Sequence, residues 1–170
     1  MTVSKLFTKL NLKEQPAIVV LNAPPGFGTE TGRLQGVTVH GNLPRSGPIS
    51  FALAFVTRQA EVDLLAKSIA KLAQGDAVVW FAYPKKTSRR YHCDFSRDTG
   101  WATLAELGYE GVRLVAIDGD WSAMRFRRTE YIKSFKRDVS RALSVRGQQR
   151  AASNEFGEEP EEAIRANRTD

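Results

Sequence analysis

The chain of 170 residues holds one cysteine, Cys93, and only two histidines. A lone cysteine excludes an intramolecular disulfide and suits the reducing cytoplasm, where the protein is expected to act. One cysteine and two histidines are too few for a zinc cage, so no metal site is expected. No apolar run nears the roughly 18 residues that cross a membrane. The opening stretch MTVSKLFTKLNLKEQP lacks the continuous apolar segment of a signal peptide, so no membrane partner is expected. No Gly-Lys-Ser/Thr closes a phosphate loop. Paired carboxylates, metal ligands and a nucleophile triad are all missing at recognisable spacing, and no catalytic residue is assigned.

What is present is a globular composition with an uneven charge. Hydrophobic residues make up 42%, enough for a core, and the length fits one domain. The net charge is +6, but the stretch from Gly147 onward carries six acids against three arginines. The body before it has 22 basic and 13 acidic residues, a net of +9. A basic body favours anionic partners such as phosphates, nucleic acid or an acidic protein.

Along the chain, residues 1–15 read as a short amphipathic helix or a loose arm, ended by Pro16. AIVVLN (17–22) is a near-continuous β-branched run and predicts a doubly buried strand. A short helix around Thr29–Leu34 and a second strand over Gly36–Val39 follow. ISFALAFV (49–56) predicts a third strand. Thr57 is placed to cap the next helix, which carries apolar residues at Val62, Leu65, Ile69 and Leu72. Gly75 stands where a left-handed helix cap belongs. Asp76–Tyr83 predicts a fourth strand, and Thr99 a cap for a helix over Trp101–Leu107 that Gly108 ends. Val112–Ile117 and Ser122–Arg128 predict an antiparallel hairpin around Asp118-Gly119-Asp120. A last helix is expected over Glu130–Val145, with Lys133, Lys136, Arg137 and Arg141 off its apolar stripe. The acidic stretch beyond Gly147 has few apolar residues and reads as a disordered tail. The domain is thus expected over residues 16–146, between arm and tail (147–170).

Apolar strands alternating with amphipathic helices specify an α/β fold. The expectation is one Rossmann-like three-layer domain, with a mostly parallel sheet of about six strands and an antiparallel C-terminal hairpin. Residues 49–128 resemble the C-terminal half of Rossmann-like methyltransferases in this order of elements. The segments WFAYPK, RDTGW and WSAMRFR resemble a group of small uncharacterised bacterial proteins with a degenerate, methyltransferase-like sheet. That resemblance covers residues 12–137 and implies a fold rather than a chemistry. In methyltransferases a first strand runs into a glycine-rich turn that holds the adenosylmethionine carboxylate, and a second ends in an acid that holds the ribose. Here the corresponding ends read Asn22-Ala23-Pro24-Pro25 and His40-Gly41-Asn42. No adenosylmethionine motif is carried over, and no cofactor is expected.

Three segments bear on chemistry. Gly26, Gly28 and Gly32 follow the first strand in a pattern near a dinucleotide fingerprint, but Pro24-Pro25 and the lack of a ribose-holding acid favour an ordinary turn. The loop Lys85–Arg97 leaves the carboxyl end of the fourth strand, where α/β proteins place ligands. Lys85, Lys86, Ser88, Arg89, Arg90 and Arg97 are its candidate anion ligands. Tyr91 and Phe95 between them admit base stacking, so single-stranded nucleic acid is one candidate partner. Asn22, Pro24, Thr57 and Tyr83 are expected at the pocket edge. Cys93 next to His92 has nucleophile chemistry, but neighbours on an extended segment point apart, and an incidental cysteine is the reading preferred. The preferred function is a non-catalytic binding module for an anionic ligand or acidic partner. The alternative is an enzyme derived from a Rossmann-like transferase.

Overall fold

A computed structural model describes residues 4–96 and 99–132. Its centre is a six-stranded sheet in the order β2-β1-β3-β4-β6-β5. β1 (Ala17–Leu21), β2 (Thr38–His40), β3 (Ile49–Phe55) and β4 (Ala73–Pro84) run parallel. β6 (Trp121–Arg128) is antiparallel to β4 and forms a hairpin with β5 (Tyr109–Ala116). The mixed Rossmann-like sheet expected from the sequence is therefore present.

The apolar runs are continuous because both faces of the sheet are covered. On one face Val19, Leu21, Ala52, Ala54, Val79, Phe81 and Phe126 are buried beneath α3 (Gln59–Leu72) and α4 (Ala102–Glu106). α3 contributes Val62, Ala66 and Ile69, and α4 contributes Leu104. The other face packs Ile18, Val20, Leu53, Phe55, Trp80 and Ala123 against Phe7, Leu10, Leu12 and Phe27. The first of these covering residues, Phe7, belongs to α1 (Lys5–Lys9), which Ser4 caps by accepting the Phe7 N–H at 3.1 Å. The Trp80 indole donates to the Leu10 carbonyl at 2.8 Å, which docks the end of α1 on the sheet. Phe27 enters the same core just before the single turn α2 (Gly28–Thr31).

Three caps differ from expectation. α3 starts two residues after Thr57, with Arg58 at its cap position, and the Glu61 carboxylate accepts the N–H groups of both Thr57 (2.8 Å) and Arg58 (3.2 Å). Glu61 thus reaches back to the N–H groups before the helix, as the carboxylate of a capping box does, and the Thr57 hydroxyl donates to that carboxylate at 3.5 Å. Gly75 has φ +60° but lies inside β4, where the pairing jumps from Ile49↔Ala73 to Phe51↔Val78. Its left-handed backbone serves that irregularity and not a helix end. Thr99 precedes α4 by too far to cap it, and its hydroxyl instead accepts the Ser96 N–H at 3.1 Å.

β5 starts three residues earlier than expected and carries a bulge, since Gly111 pairs with Phe126 and Arg113 with Arg125, leaving Val112 over. The Asp118 carboxylate accepts the N–H groups of Asp120 and Trp121 and turns the hairpin. After β6 a 3-10 turn spans Thr129–Tyr131. Nearly all of the helix expected over 130–145, the acidic tail and Arg97 lie outside the described residues.

Candidate functional site

The topology marks where a ligand belongs. β1 has parallel neighbours on both sides, β2 outward and β3 inward. The crevice at the carboxyl ends of β1 and β3 is the switch point of the sheet. β1 leaves into it through Asn22, which adopts the left-handed φ of 58°. The Asn22 side-chain amide donates to the Phe55 carbonyl at 3.4 Å. Pro24 is half-buried, and its carbonyl accepts the Phe27 N–H at 3.1 Å. Gly26 (φ 93°) and Gly28 are exposed, with open space where a side chain would stand. The floor is aromatic, with Phe27 against Phe55 at 4.9 Å and Phe55 edge-on to Trp121 at 5.0 Å.

The basic loop after β4 lies across this edge and is held at both ends. The Lys85 N–H donates to the Asp120 carbonyl. Ser88 is 5% exposed; its hydroxyl donates to the Asp120 carboxylate at 2.8 Å and accepts the Tyr91 N–H. Arg90 stands 4.0 Å from the same carboxylate. Further along, the Asp94 N–H donates to the Thr57 carbonyl, and the Asp94 carboxylate accepts the Gln59 N–H at 2.7 Å. The Gln59 side-chain amide then donates to the Gly100 carbonyl and to Asp63.

Two consequences follow for the candidate ligands. The Asp94 carboxylate already takes the Gln59 N–H, the first of α3, and Glu61 takes the Thr57 and Arg58 N–H groups just before it, so an acidic group of the chain itself stands where a helix start would take an anion. The loop aromatics are also engaged. Tyr91 packs on Trp121 at 4.9 Å beneath the Arg90 guanidinium, and Phe95 packs on Trp101 and Tyr83. Tyr83 is 3% exposed and stacks edge-on to Trp101, so it forms part of the core under the loop. The exposed groups are Lys86, Arg89 and Arg90, with Lys85 half-buried. Among the described residues neither Lys86 nor Arg89 has an ion-pair partner. Of the expected pocket edge, Asn22 and Pro24 follow the end of β1 and Thr57 follows the end of β3.

Sequence reading gave Asp94 and Asp120 no role in holding the loop, because their partners are 35 and 32 residues away. Replacing Asp94 by alanine is expected to lower stability by about 1 kcal/mol, the usual loss of a helix-start cap. Urea unfolding would show it, with a smaller loss in Asp94→Asn.

Cys93 is half-buried, and burial pushes its thiol pKa up; an N–H from Phe95 lowers it in part, and the charges of Asp94 and Glu61 raise it further. The folded protein therefore holds this proton more tightly than the unfolded chain. Its share of stability is whole below the unfolded thiol's pKa and is lost as pH rises through the folded value. Iodoacetamide is expected to alkylate Cys93 more slowly than a free cysteine at neutral pH and to catch up only in alkaline solution. Faster reaction than free cysteine at neutral pH would restore the nucleophile reading.

A cavity of about 200 Å³ lies elsewhere, beneath residues 42–48 and against Ala17, Val19, His40 and Ile49. None of Asn22, Pro24, Thr57 and Tyr83 lines it. Among the described residues no group of three or more His, Cys, Asp or Glu side chains could hold a metal, and no helix is long and apolar enough to cross a membrane.

No family model matches the chain, and no curated protein matches it significantly. Solved structures do. A SAM-dependent methyltransferase from Aquifex aeolicus superposes with a TM-score of 0.54 at 14% identity, over 72% of this chain and 87% of that one. The N-methyltransferase NodS from Bradyrhizobium japonicum WM9 gives 0.49 at 13% identity, over 73% and 92%. Magnesium protoporphyrin IX methyltransferase from Synechocystis PCC 6803 gives 0.49 at 10%, over 73% and 74%. At 14% identity, what the chain shares with the Aquifex structure is the fold.

Proposed function

We propose that the chain is an enzyme of transferase type built on the methyltransferase-like sheet, with its ligand in the crevice between the carboxyl ends of β1 and β3. The observation that carries this reading is the switch point itself. β1 leaves through the left-handed Asn22 and the exposed turn at Gly26 and Gly28, over which open space stands where side chains would be. The fold shared with the Aquifex methyltransferase supports an adenosine-bearing methyl donor as the ligand class. β2 ends at His40 without the carboxylate that holds a ribose in nucleotide-binding sheets, so binding is expected to be weak. This reading moves the preference from the binding module to the enzyme, while the site of action stays with the cytoplasm.

Titration calorimetry with S-adenosylhomocysteine tests it. Saturable heat is expected, weakened about tenfold or more in Gly26→Val, where a β-branched side chain would stand over the turn in a left-handed conformation. No heat and no rise in melting temperature at millimolar ligand would end the reading.

The second reading is a binding module that holds an anionic ligand, a nucleic-acid backbone or an acidic protein on Lys86, Arg89 and Arg90. It is favoured by one observation, that two of these cations are exposed without an ion-pair partner among the described residues. Because the loop rings are packed, its cations and not its aromatics would meet the ligand. Arg89→Glu/Arg90→Glu with unchanged retention of single-stranded RNA on filters at low salt would remove the nucleic-acid form of it.

A further inference from the structure

The face of the sheet opposite α3 carries an arrangement of arginines that no reading so far uses. Residues 121, 123, 125 and 127 of β6 alternate onto this face, with Trp121 and Ala123 in its core. Arg125 stands directly across from Trp80 on one side and Arg113 on the other. Like charges placed directly opposite on neighbouring strands repel. Arg127, next on the same face, binds the Asp76 carboxylate through two nitrogens at 2.6–3.1 Å. Glu110 stands across from Arg127 as well. Both carboxylates therefore gather at the Arg127 end of the cluster. Arg125 is left with a buried Nε that has no hydrogen-bond partner among the described residues. A buried donor without a partner is destabilising, and more so when it carries charge. Burial and then the Arg127 charge pull the Arg125 pKa down, Asp76 opposes in part, and Arg113 adds to the fall.

We infer that Arg113, Arg125 and Arg127 form an oxyanion-binding site on this face, for a phosphate or carboxylate group. An oxyanion between Arg113 and Arg125 would turn a repulsive cross-strand pair into two charge-assisted contacts, the geometry for which guanidinium groups are suited. The oxyanion has two sources: a free ligand, or the chain's own acidic stretch Glu155–Glu162, which lies outside the described residues. The site is separate from the switch-point crevice and does not depend on the transferase reading.

The test is an inorganic phosphate titration of the full chain, read on the arginine Nε–Hε resonances in ¹H–¹⁵N spectra. Saturable shifts at Arg113 and Arg125 are expected, weakened about tenfold or more in Arg113→Glu, an exposed edge-strand change, and unaltered in Arg45→Glu, an exposed change away from both faces under test. If wild type does not respond, the same titration is run on the variant with Glu155, Glu158, Glu159, Glu161 and Glu162 changed to glutamine. A response only in that variant supports the site and assigns its resident oxyanion to the chain's own carboxylates. No response in either protein, or an Arg113→Glu response equal to wild type in a protein of unchanged circular dichroism, overturns the inference.

Discussion

Replacing Trp80 by alanine is expected to lower the unfolding free energy by about 3–5 kcal/mol, the range for emptying a large buried aromatic site. Trp80 is 0% exposed in the middle of β4, and its ring joins the core beneath α1. The change also strands the Leu10 carbonyl, which now accepts the indole N–H at 2.8 Å. Trp80→Phe separates the two contributions: it keeps most of the packing and loses the hydrogen bond, for an expected cost of about 1–3 kcal/mol. Denaturant unfolding followed by circular dichroism measures both. Domains of this size are stable by about 5–15 kcal/mol, so the alanine protein should stay largely folded at low temperature and melt well below wild type. An alanine variant within 1 kcal/mol of wild type, on the order of a surface change, would mean that α1 does not pack as described.

Phe55→Ala is expected to cost a similar amount, about 3–5 kcal/mol, and to reach the candidate site as well. Phe55 ends β3 with 2% exposure and bridges Phe27 on one side and Trp121 on the other. Such ring pairs add about 0.5–1.5 kcal/mol each beyond the area they bury. Phe27 follows directly on Gly26, so losing its partner frees the turn that leaves β1. A double-mutant cycle with Phe27→Leu should show coupling of about 0.5–1.5 kcal/mol, since the rings touch. Adenosylhomocysteine affinity should fall in Phe55→Ala and recover in Phe55→Tyr, which keeps the ring. Additive costs with no coupling would detach the floor from the turn.

The strands were readable because burial on two faces leaves an unmistakable residue pattern. AIVVL, ISFALAF and AVVWFAYP place almost every side chain in one core or the other, and no competing helix period fits them. The hairpin was readable from Asp118-Gly119-Asp120, whose side-chain turn is local. What escaped was decided by groups far apart in sequence. Asp94, 35 residues on, takes the Gln59 N–H at the start of α3 in place of Thr57, and the Phe51↔Val78 register gave Gly75 a use inside a strand. The docked α1 rests on a bond spanning 70 residues. The candidate site shows the same division. Its location at the carboxyl edge followed from strand order alone. That Ser88 turns inward, that Asp94 fills the start of α3, and that Tyr91 and Phe95 are packed away required the loop's return path.

The leftover residue Val112 has a consequence beyond the hairpin. β5 is the outermost strand at its end of the sheet, and its outer row of N–H and C=O groups faces no further strand among the described residues. An unbroken row of that kind is a template for edge-to-edge aggregation. The bulge interrupts it at Val112, and the adjacent Arg113 sets a charge beside the break. An incoming strand could match the spacing on one side of Val112 or on the other, but not on both. The hairpin thus offers an incoming strand only two short, mismatched stretches of edge, at the cost of one exposed valine.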